Sequence, residues 1–404
     1  MSRTAIALAA LLVLAGCSAP TAQGPTAEGS ALETRTPTTG PSALPVNESR
    51  IFGRVADLAE SNVSQPSLRT ADAGEGGVSY LGGLGPFYRL MLGVEGDGSA
   101  SAAAYYARDP HRVTVLLHDG VPAAETDEAG LAVVLAHEYA HAVQFGDPRF
   151  RSSLGGPADA SMDSRRVYRA LVEGGAVFVA DEYADRYRPS EDPTGEMARD
   201  YRNESAPGRF VRGPYLFGGR YLDGRLDSPA NLTRAYRNPP NTTEQVIHGY
   251  APEREPPADL RVTVAETDDV SAGNADTAGE LFVRDLLGGK LPESRSATAA
   301  SGWGNDRLLM LWNYGANESS RRNFVWTLRW DDERNATEFS GAFADYMDAR
   351  GERRGARRWQ ASGTQFGLER ASDRTVVVAV GSPETVRNVR ATADDGNVSV
   401  TVAA

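Results

Sequence analysis

Two histidines and a glutamate carry the chemistry this chain could perform. His137-Glu138-Tyr139-Ala140-His141 is an H-E-x-x-H pattern set inside the apolar run Leu131 to Phe145. A helix turns about 100° per residue, so His137 and His141 leave one face almost eclipsed and can share one metal ion. Two neutral imidazoles suit Zn2+, with an open position for water. Glu138, one step round the helix, is placed to take a proton from that water. The chain has only five histidines. The flanking Val133, Val134, Leu135, Ala136, Ala140, Ala142 and Val143 leave little polar face, so the helix must be mostly buried. A buried helix keeps two histidines and a glutamate only where they are paired or ligated.

A third ligand must come from elsewhere. Ser164 to Tyr187 reads as a long helix, and Leu171-Val172-Glu173-Gly174-Gly175-Ala176 lies near its middle. Glycine inside a helix costs about 1 kcal/mol relative to alanine, so two in succession need a reason. Their missing Cβ atoms would let this helix approach the metal helix and bring Glu173 to the ion. Asp181 and Glu182 are rival ligands, and Asp181 is also a candidate to orient a ligand histidine. The competing reading pairs Glu173 with Arg165, Arg166 or Arg169. His111 and His118 lie outside the motif and read as ordinary polar contacts.

Several elements must position these groups. Ile51 to Glu60 reads as a helix and Arg112 to His118 as a β-branched strand. Residues 74 to 86 read as a glycine-rich loop. Thr126-Asp127-Glu128 supplies an N-cap and first-turn acids for the metal helix, and Gly146-Asp147-Pro148 stops it.

At this point the sequence resembles a known group. H-E-x-x-H followed by a downstream helix bearing Glu173-Gly-Gly-Ala is similar to the gluzincin zinc metallopeptidases. It also resembles a poorly characterised set of secreted gluzincin-like proteins with H-E-x-x-H-A-x-Q and L-x-E-G-x-A segments, matched here by His137 to Gln144 and Leu171 to Ala176. Pro214-Tyr215-Leu216-Phe217-Gly218 and Thr243-Glu244-Gln245-Val246-Ile247-His248 resemble two further segments of that set. The resemblance covers roughly residues 101 to 264, with a weaker echo at Ser301 to Arg307. Val177 stands where the gluzincin pattern has an acid, and Gly249 follows His248 where a proline is usual. The resemblance implies a zincin-like α+β catalytic domain, with an edge strand above the two ligand helices. It implies peptide-bond hydrolysis at zinc held by His137, His141 and Glu173. Glu138 would be the general base, with His248 or Tyr215 the oxyanion donor. The alternative it leaves is a surface protein on the same scaffold, with a binding or envelope role and little or no catalysis.

The rest of the chain frames this domain. Arg3 and the apolar run Ala5 to Ala15 have the layout of a signal peptide over residues 1–16. Leu14-Ala15-Gly16-Cys17 resembles a lipobox, so Cys17, the only cysteine, is expected to carry a lipid. Residues 17–48 are rich in Ala, Thr, Pro, Gly and Ser and read as a disordered tether. The expected location is the outer face of the cell membrane, with a peptide or protein as substrate; eight Asn-x-Ser/Thr sequons fit that face. A net charge of −12 argues against nucleic acid as a partner, and a single lysine among 42 basic residues gives the chain a halophilic composition.

The catalytic domain is expected over 49–260 and a second α+β region over 261–404. In the latter, Ala275 to Leu291 reads as one helix. Arg307 to Trp312 and Phe324 to Trp330 read as paired strands, and Asn335 to Met347 as a helix. Gln365 to Glu369 and Arg374 to Val380 read as another strand pair, and Pro383 to Arg390 as a short helix. The tail from Asp394 is expected to fray. Trp303, Trp312, Trp326 and Trp330 read as core.

Overall fold

A computed structural model describes residues 12–14, 44–72, 81, 83–94, 102–118, 121–122, 128–314 and 322–402. Cys17, most of the expected tether, residues 74–80 and the Thr126-Asp127 cap lie outside the described residues. The architecture is mixed α+β. Its first half holds β1 (Leu12–Leu14), α1 (Glu48–Leu58), β2 (Ser67–Asp72), α2 (Pro86–Leu92), β3 (Ala104–Ala107), β4 (Arg112–His118) and β5 (Val121–Pro122). Helices then dominate: α3 (Glu128–Gly146), α4 (Pro148–Leu154), α5 (Met162–Tyr187), α6 (Pro193–Asn203), α7 (Ala206–Asp223), α8 (Leu232–Arg237) and α9 (Thr243–His248).

The strands form a small mixed sheet in the order β1-β3-β4-β2, with β5 pairing β4. β3 is antiparallel to β4, and β4 is parallel to β2. β1 falls within the stretch expected to be a signal peptide and lies parallel to β3. The metal helix α3 packs against β3, α1 and α5. It is buried almost continuously from Leu131 to Gln144, as its all-round apolar sequence requires. It ends where its last residue meets a wall: a Cβ on Gly146 would lie 2.4 Å from Val63 Cγ2. Asp147 then caps α4 by accepting from the Arg149 amide, with Pro148 in the first turn.

α5 starts at a Ser161 cap and runs for 26 residues. The first of its two internal glycines faces a different neighbour from the one expected. A Cβ on Gly174 would lie 2.2 Å from the Gly218 carbonyl carbon on α7, and one on Gly218 would lie 2.0 Å from the Ala170 carbonyl oxygen. Gly174 therefore lets α5 cross α7 at backbone contact, whereas α3 is approached by Gly175.

The second half holds β6 (Arg261–Val264), β7 (Val270–Asp276), α10 (Glu280–Gly288), α11 (Glu293–Ala300), β8 (Trp303–Asn313), β9 (Arg322–Trp330) and α12 (Glu333–Arg350). After these come β10 (Glu352–Gly355), β11 (Arg358–Ala361), β12 (Thr364–Arg370), β13 (Thr375–Gly381), α13 (Pro383–Asn388), β14 (Val389–Asp394) and β15 (Asn397–Val402). Seven antiparallel strands form one sheet in the order β10-β11-β12-β13-β9-β8-β7, and β14-β15-β6 form a second.

Three expectations change here. Ala275 to Leu291 is not one helix: Asp276 ends β7, and α10 begins after Gly279, whose φ of +84° breaks the helix. The tail does not fray, because β15 pairs β14 on one side and runs parallel to β6 on the other. The short helix from Pro383 stops at Asn388, and β14 begins at Val389.

One face of the large sheet packs on α10 and α12 through Phe282, Trp303, Trp326, Trp330 and Phe339. The other packs on the small sheet through Val325, Val377, Val398 and Val400. α2, early in the chain, belongs to the second core, with Phe87 against Phe282, Phe324 and Trp326. Tyr346 and Arg350 donate to the Met91 carbonyl oxygen and hold α2 there.

Candidate metal centre

α3 and α5 bring three ligand atoms to one point. His137 Nε2 and His141 Nε2 lie 3.1 Å apart, and Glu173 Oε2 lies 3.5 and 3.3 Å from them. Among the described residues this is the group of His, Cys, Asp and Glu that could hold a metal ion. Tetrahedral ligands at ~2.0–2.1 Å from an ion stand ~3.3 Å apart, so the observed triangle has the right size for one ion. All three side chains are buried, at 1%, 1% and 0% exposure.

Hydrogen bonds fix which histidine nitrogen faces the centre. Gln144 Nε2 donates to the Val172 carbonyl oxygen at 2.8 Å and to the Tyr236 hydroxyl at 2.9 Å. A carbonyl only accepts, so the amide orientation is settled and Oε1 points at His141 Nδ1, 2.7 Å away. His141 therefore carries its proton on Nδ1 and turns the Nε2 lone pair into the cluster. Gly175 makes room for this relay: a Cβ there would lie 2.6 Å from Gln144 Nε2 and 2.4 Å from the Tyr236 hydroxyl.

Charge is distributed to match. Burial drives the His137 pKa down to about 4, leaving a neutral imidazole. Burial works to raise Glu173, but the two imidazoles and Arg169 outweigh it and hold the carboxyl at about 2. Burial also works to lower His141, and its contacts with Glu173, Glu138 and Gln144 overcome that. Arg169 Nε lies 3.9 Å from Glu173 Oε1, so one expected arginine pairing exists beside the ligand role. Arg166 pairs instead with Asp285, and Arg165 with Asp276.

Glu138 is set apart from the ligands. It is fully buried, and neither carboxylate oxygen meets a hydrogen-bond partner within normal limits. Burial raises its pKa to about 8, partly offset by His141 and a Tyr106 backbone amide on β3. An unpaired buried carboxyl is costly unless another group completes its surroundings.

The remaining expected residues separate. Tyr215 is beside the cluster: its ring stacks on His137 at 6.0 Å between centroids, and the Arg169 guanidinium carbon lies 5.5 Å from the Tyr215 ring centroid. His248 ends α9, with Nε2 3.0 and 3.1 Å from the two Glu280 oxygens and its ring stacked on Tyr250. The ligand group does not include it. Asp181 does not orient a ligand histidine; it accepts from the Thr194 amide at 3.0 Å, and Gln144 takes the orienting place. Glu182 contacts Arg186 at 3.4 Å. His111 bonds the Tyr106 hydroxyl and the Ser64 carbonyl oxygen, an ordinary polar role.

Sequence reasoning missed Gln144 as a working group, although its spacing of three from His141 puts it on the same helix face. Tyr236 had no comparable signal, since 92 residues separate it from Gln144.

Comparison with known proteins adds one finding. Residues 266–390, within the second half, match the model of a Domain of unknown function (DUF8575). No curated protein and no solved structure matches the chain. The matched stretch contains the seven-stranded sheet and α10–α13, and none of the metal-centre residues.

Proposed function

We propose that the protein is a zinc-dependent peptidase of the gluzincin type, built on a zincin-like half and anchored outside the cell by a lipid on Cys17. One observation carries the reading: a buried His-His-Glu triangle of the right size lies beside a buried, unpaired glutamate that belongs to no ligand set. A structural ion needs the triangle but has no use for Glu138. The residues fit zinc in kind, two imidazoles and one carboxylate, and in spacing. His137, His141 and Glu173 would hold the zinc, which would supply an activated water and polarise the scissile carbonyl. Glu138 holds and passes the proton, first from the water and then to the leaving amine. A cation held at the triangle would favour the charged form of Glu138. Gln144 and Tyr236 hold His141 in register. Tyr215, stacked on His137, is the closer candidate for oxyanion donor, and His248 is tied to Glu280.

The test is Glu138→Gln in the full chain. Metal content measured by elemental analysis should stay near one zinc per chain, while hydrolysis of an unfolded polypeptide in high-salt buffer should fall by ~10²-fold or more. Loss of zinc in this variant would make Glu138 a ligand or a structural group and sink the mechanism.

A second reading has its own support. The whole cluster is closed from solvent at 0–1% exposure, which suits an ion that stabilises a surface protein without turnover. A wild type that holds zinc and cleaves nothing across a broad peptide library would establish that reading. For the anchor, Cys17→Ser should move the protein from the membrane fraction to the medium. Unchanged membrane association would remove the lipid from the proposal. Among the described residues no helix is long and apolar enough to cross a membrane.

A further inference from the structure

The large sheet carries a feature that the metal centre does not use. On the face shared with the small sheet lies a cavity of about 350 Å3, lined by β11, β12, β13, α13 and the start of β14. Its floor is apolar, with Val377, Ala379 and Val386 all buried. Its rim carries four arginines, Arg357, Arg358, Arg387 and Arg390.

These four differ from the arginines around them. Arg353 pairs with Asp348, Arg354 with Glu352, Arg329 with Asp395 and Arg370 with Glu333. None of the four on the rim makes an ion pair among the described residues. Backbone carbonyls hold part of two of them. Arg387 Nε donates to the Pro383 carbonyl oxygen at 3.0 Å, and Arg390 Nη1 donates to the Arg387 and Val389 carbonyl oxygens at 2.7 Å. The other guanidinium N–H groups of that pair are left for a ligand. Glu369 is the one acid in the lining, and its Oε1 accepts from the Ala391 amide at 3.1 Å.

This is not a run of charge along one solvated helix. The fold draws two short stretches, 357–358 and 387–390, to one rim. Four like charges around one hollow repel one another, and an anion between them relieves that repulsion. In a chain of net charge −12 the long-range field does not attract anions, so the attraction is local to this rim. Guanidinium groups match phosphate oxygens through paired N–H donors, and the volume falls within the ordinary range of ligand pockets. The apolar floor suits a ligand that carries carbon beside its phosphate.

We propose that this cavity binds a phosphate group borne on an organic molecule, supplied either by a lipid headgroup or by a free phosphate ester. The site lies inside the segment that matches the domain of unknown function and does not depend on the peptidase reading.

The experiment uses the full chain carrying Cys17→Ser, so that no acyl chain contributes to membrane binding. Inorganic phosphate is titrated by calorimetry at fixed ionic strength, with chloride as the reference anion. In parallel the protein is sedimented with phosphatidylglycerol vesicles and with phosphatidylcholine vesicles. Saturable phosphate binding above the chloride reference is expected. In the double variant Arg387→Gln, Arg390→Gln it should weaken by about tenfold or more, while Arg353→Gln changes it by less than about twofold. Both altered arginines are exposed, and an unchanged melting temperature confirms that the double variant folds. Sedimentation with the anionic vesicles alone, lost in the double variant, assigns the lipid source; phosphate binding without vesicle binding assigns the free ester. Wild type that binds neither probe, or a double variant that binds as well as wild type, overturns the proposal.

Discussion

Gln144 faces two ways, and its neighbours leave it no alternative. Its amide nitrogen is committed to Val172 and Tyr236, so its oxygen must face His141. A histidine ligand held through its other nitrogen loses less freedom when it binds, and partners of this kind typically change metal affinity ~10–100-fold. Gln144→Leu keeps the volume and removes both polar ends. Competition with a chelator of known affinity should show zinc bound ~10–100-fold more weakly, and the visible spectrum of the cobalt-substituted protein should change with His141 geometry. Tyr236→Phe removes one of two bonds to the amide nitrogen and should have a smaller effect of the same sign. Unchanged affinity in Gln144→Leu would show that α3 alone orients the histidine. The pairing of His137 with His141 on one face was legible from the sequence because H-E-x-x-H follows helix geometry and needs no tertiary information, whereas the meeting with Glu173 depends on how α5 packs against α3. The glutamine was visible only as a letter in a motif; its role depends on Tyr236, which the fold delivers from α8.

At the scale of elements, two adjacent glycines divide two tasks. Gly174 sets the crossing of α5 and α7, and Gly175 clears the Gln144 relay. The sequence exposed the oddity of the pair, but could not say which helix each faced, because register against a distant helix has no sequence period. Gly174→Ala places a methyl group 2.2–2.5 Å from the Gly218 and Gly219 backbone, which no side-chain rotation relieves. Overpacking of this kind costs about 1–3 kcal/mol, and here it also displaces Glu173. Chemical denaturation should report that loss together with weaker zinc binding. Gly53 in α1 is the counterpart, with nothing within 4 Å of its Cβ position. Gly53→Ala should stabilise the protein by up to about 1 kcal/mol with zinc affinity unchanged. Equal effects at the two positions would mean that helix propensity, and not the helix crossing, explains the glycines. The misplaced helix at Ala275 has the same root: an apolar period runs on through Ala278 to Leu291, and only the turn at Gly279 marks where the strand has already ended.

Across the whole molecule, buried acids that composition alone cannot locate fix the entry to α10 and tie the first half to it. Asp306 accepts from the Ala278 and Gly279 amides at 2.8 Å and from the Trp303 and Trp326 indoles at 3.0 Å, which fixes the turn into α10. Asp163, at the start of α5, accepts from the Thr243 amide at 3.2 Å, and Thr243 Oγ1 accepts from Leu281 N at 3.1 Å. The first turns of α5, α9 and α10 are thereby joined, and the metal helix pair is tied to the sheet-bearing half. Burial lifts the Asp163 pKa to about 7; its bonds from Thr243 and the nearby Arg166 work against that rise, and Asp306 adds to it. The unfolded group titrates near 3.8. Between these values the folded state holds a proton that the unfolded state has released, so this group's contribution to stability falls as pH rises through the window. Asp163→Asn keeps an acceptor for Thr243 and has no proton to lose. Its melting temperature, compared with wild type, should therefore gain steadily from pH 4 to about pH 7 and then level off. A difference that stays flat across that range would mean that Asp163 is charged in the folded protein at every pH tested. The junction would then rest on a charged Asp163 attracted by the nearby Arg166 and not on a protonated acid.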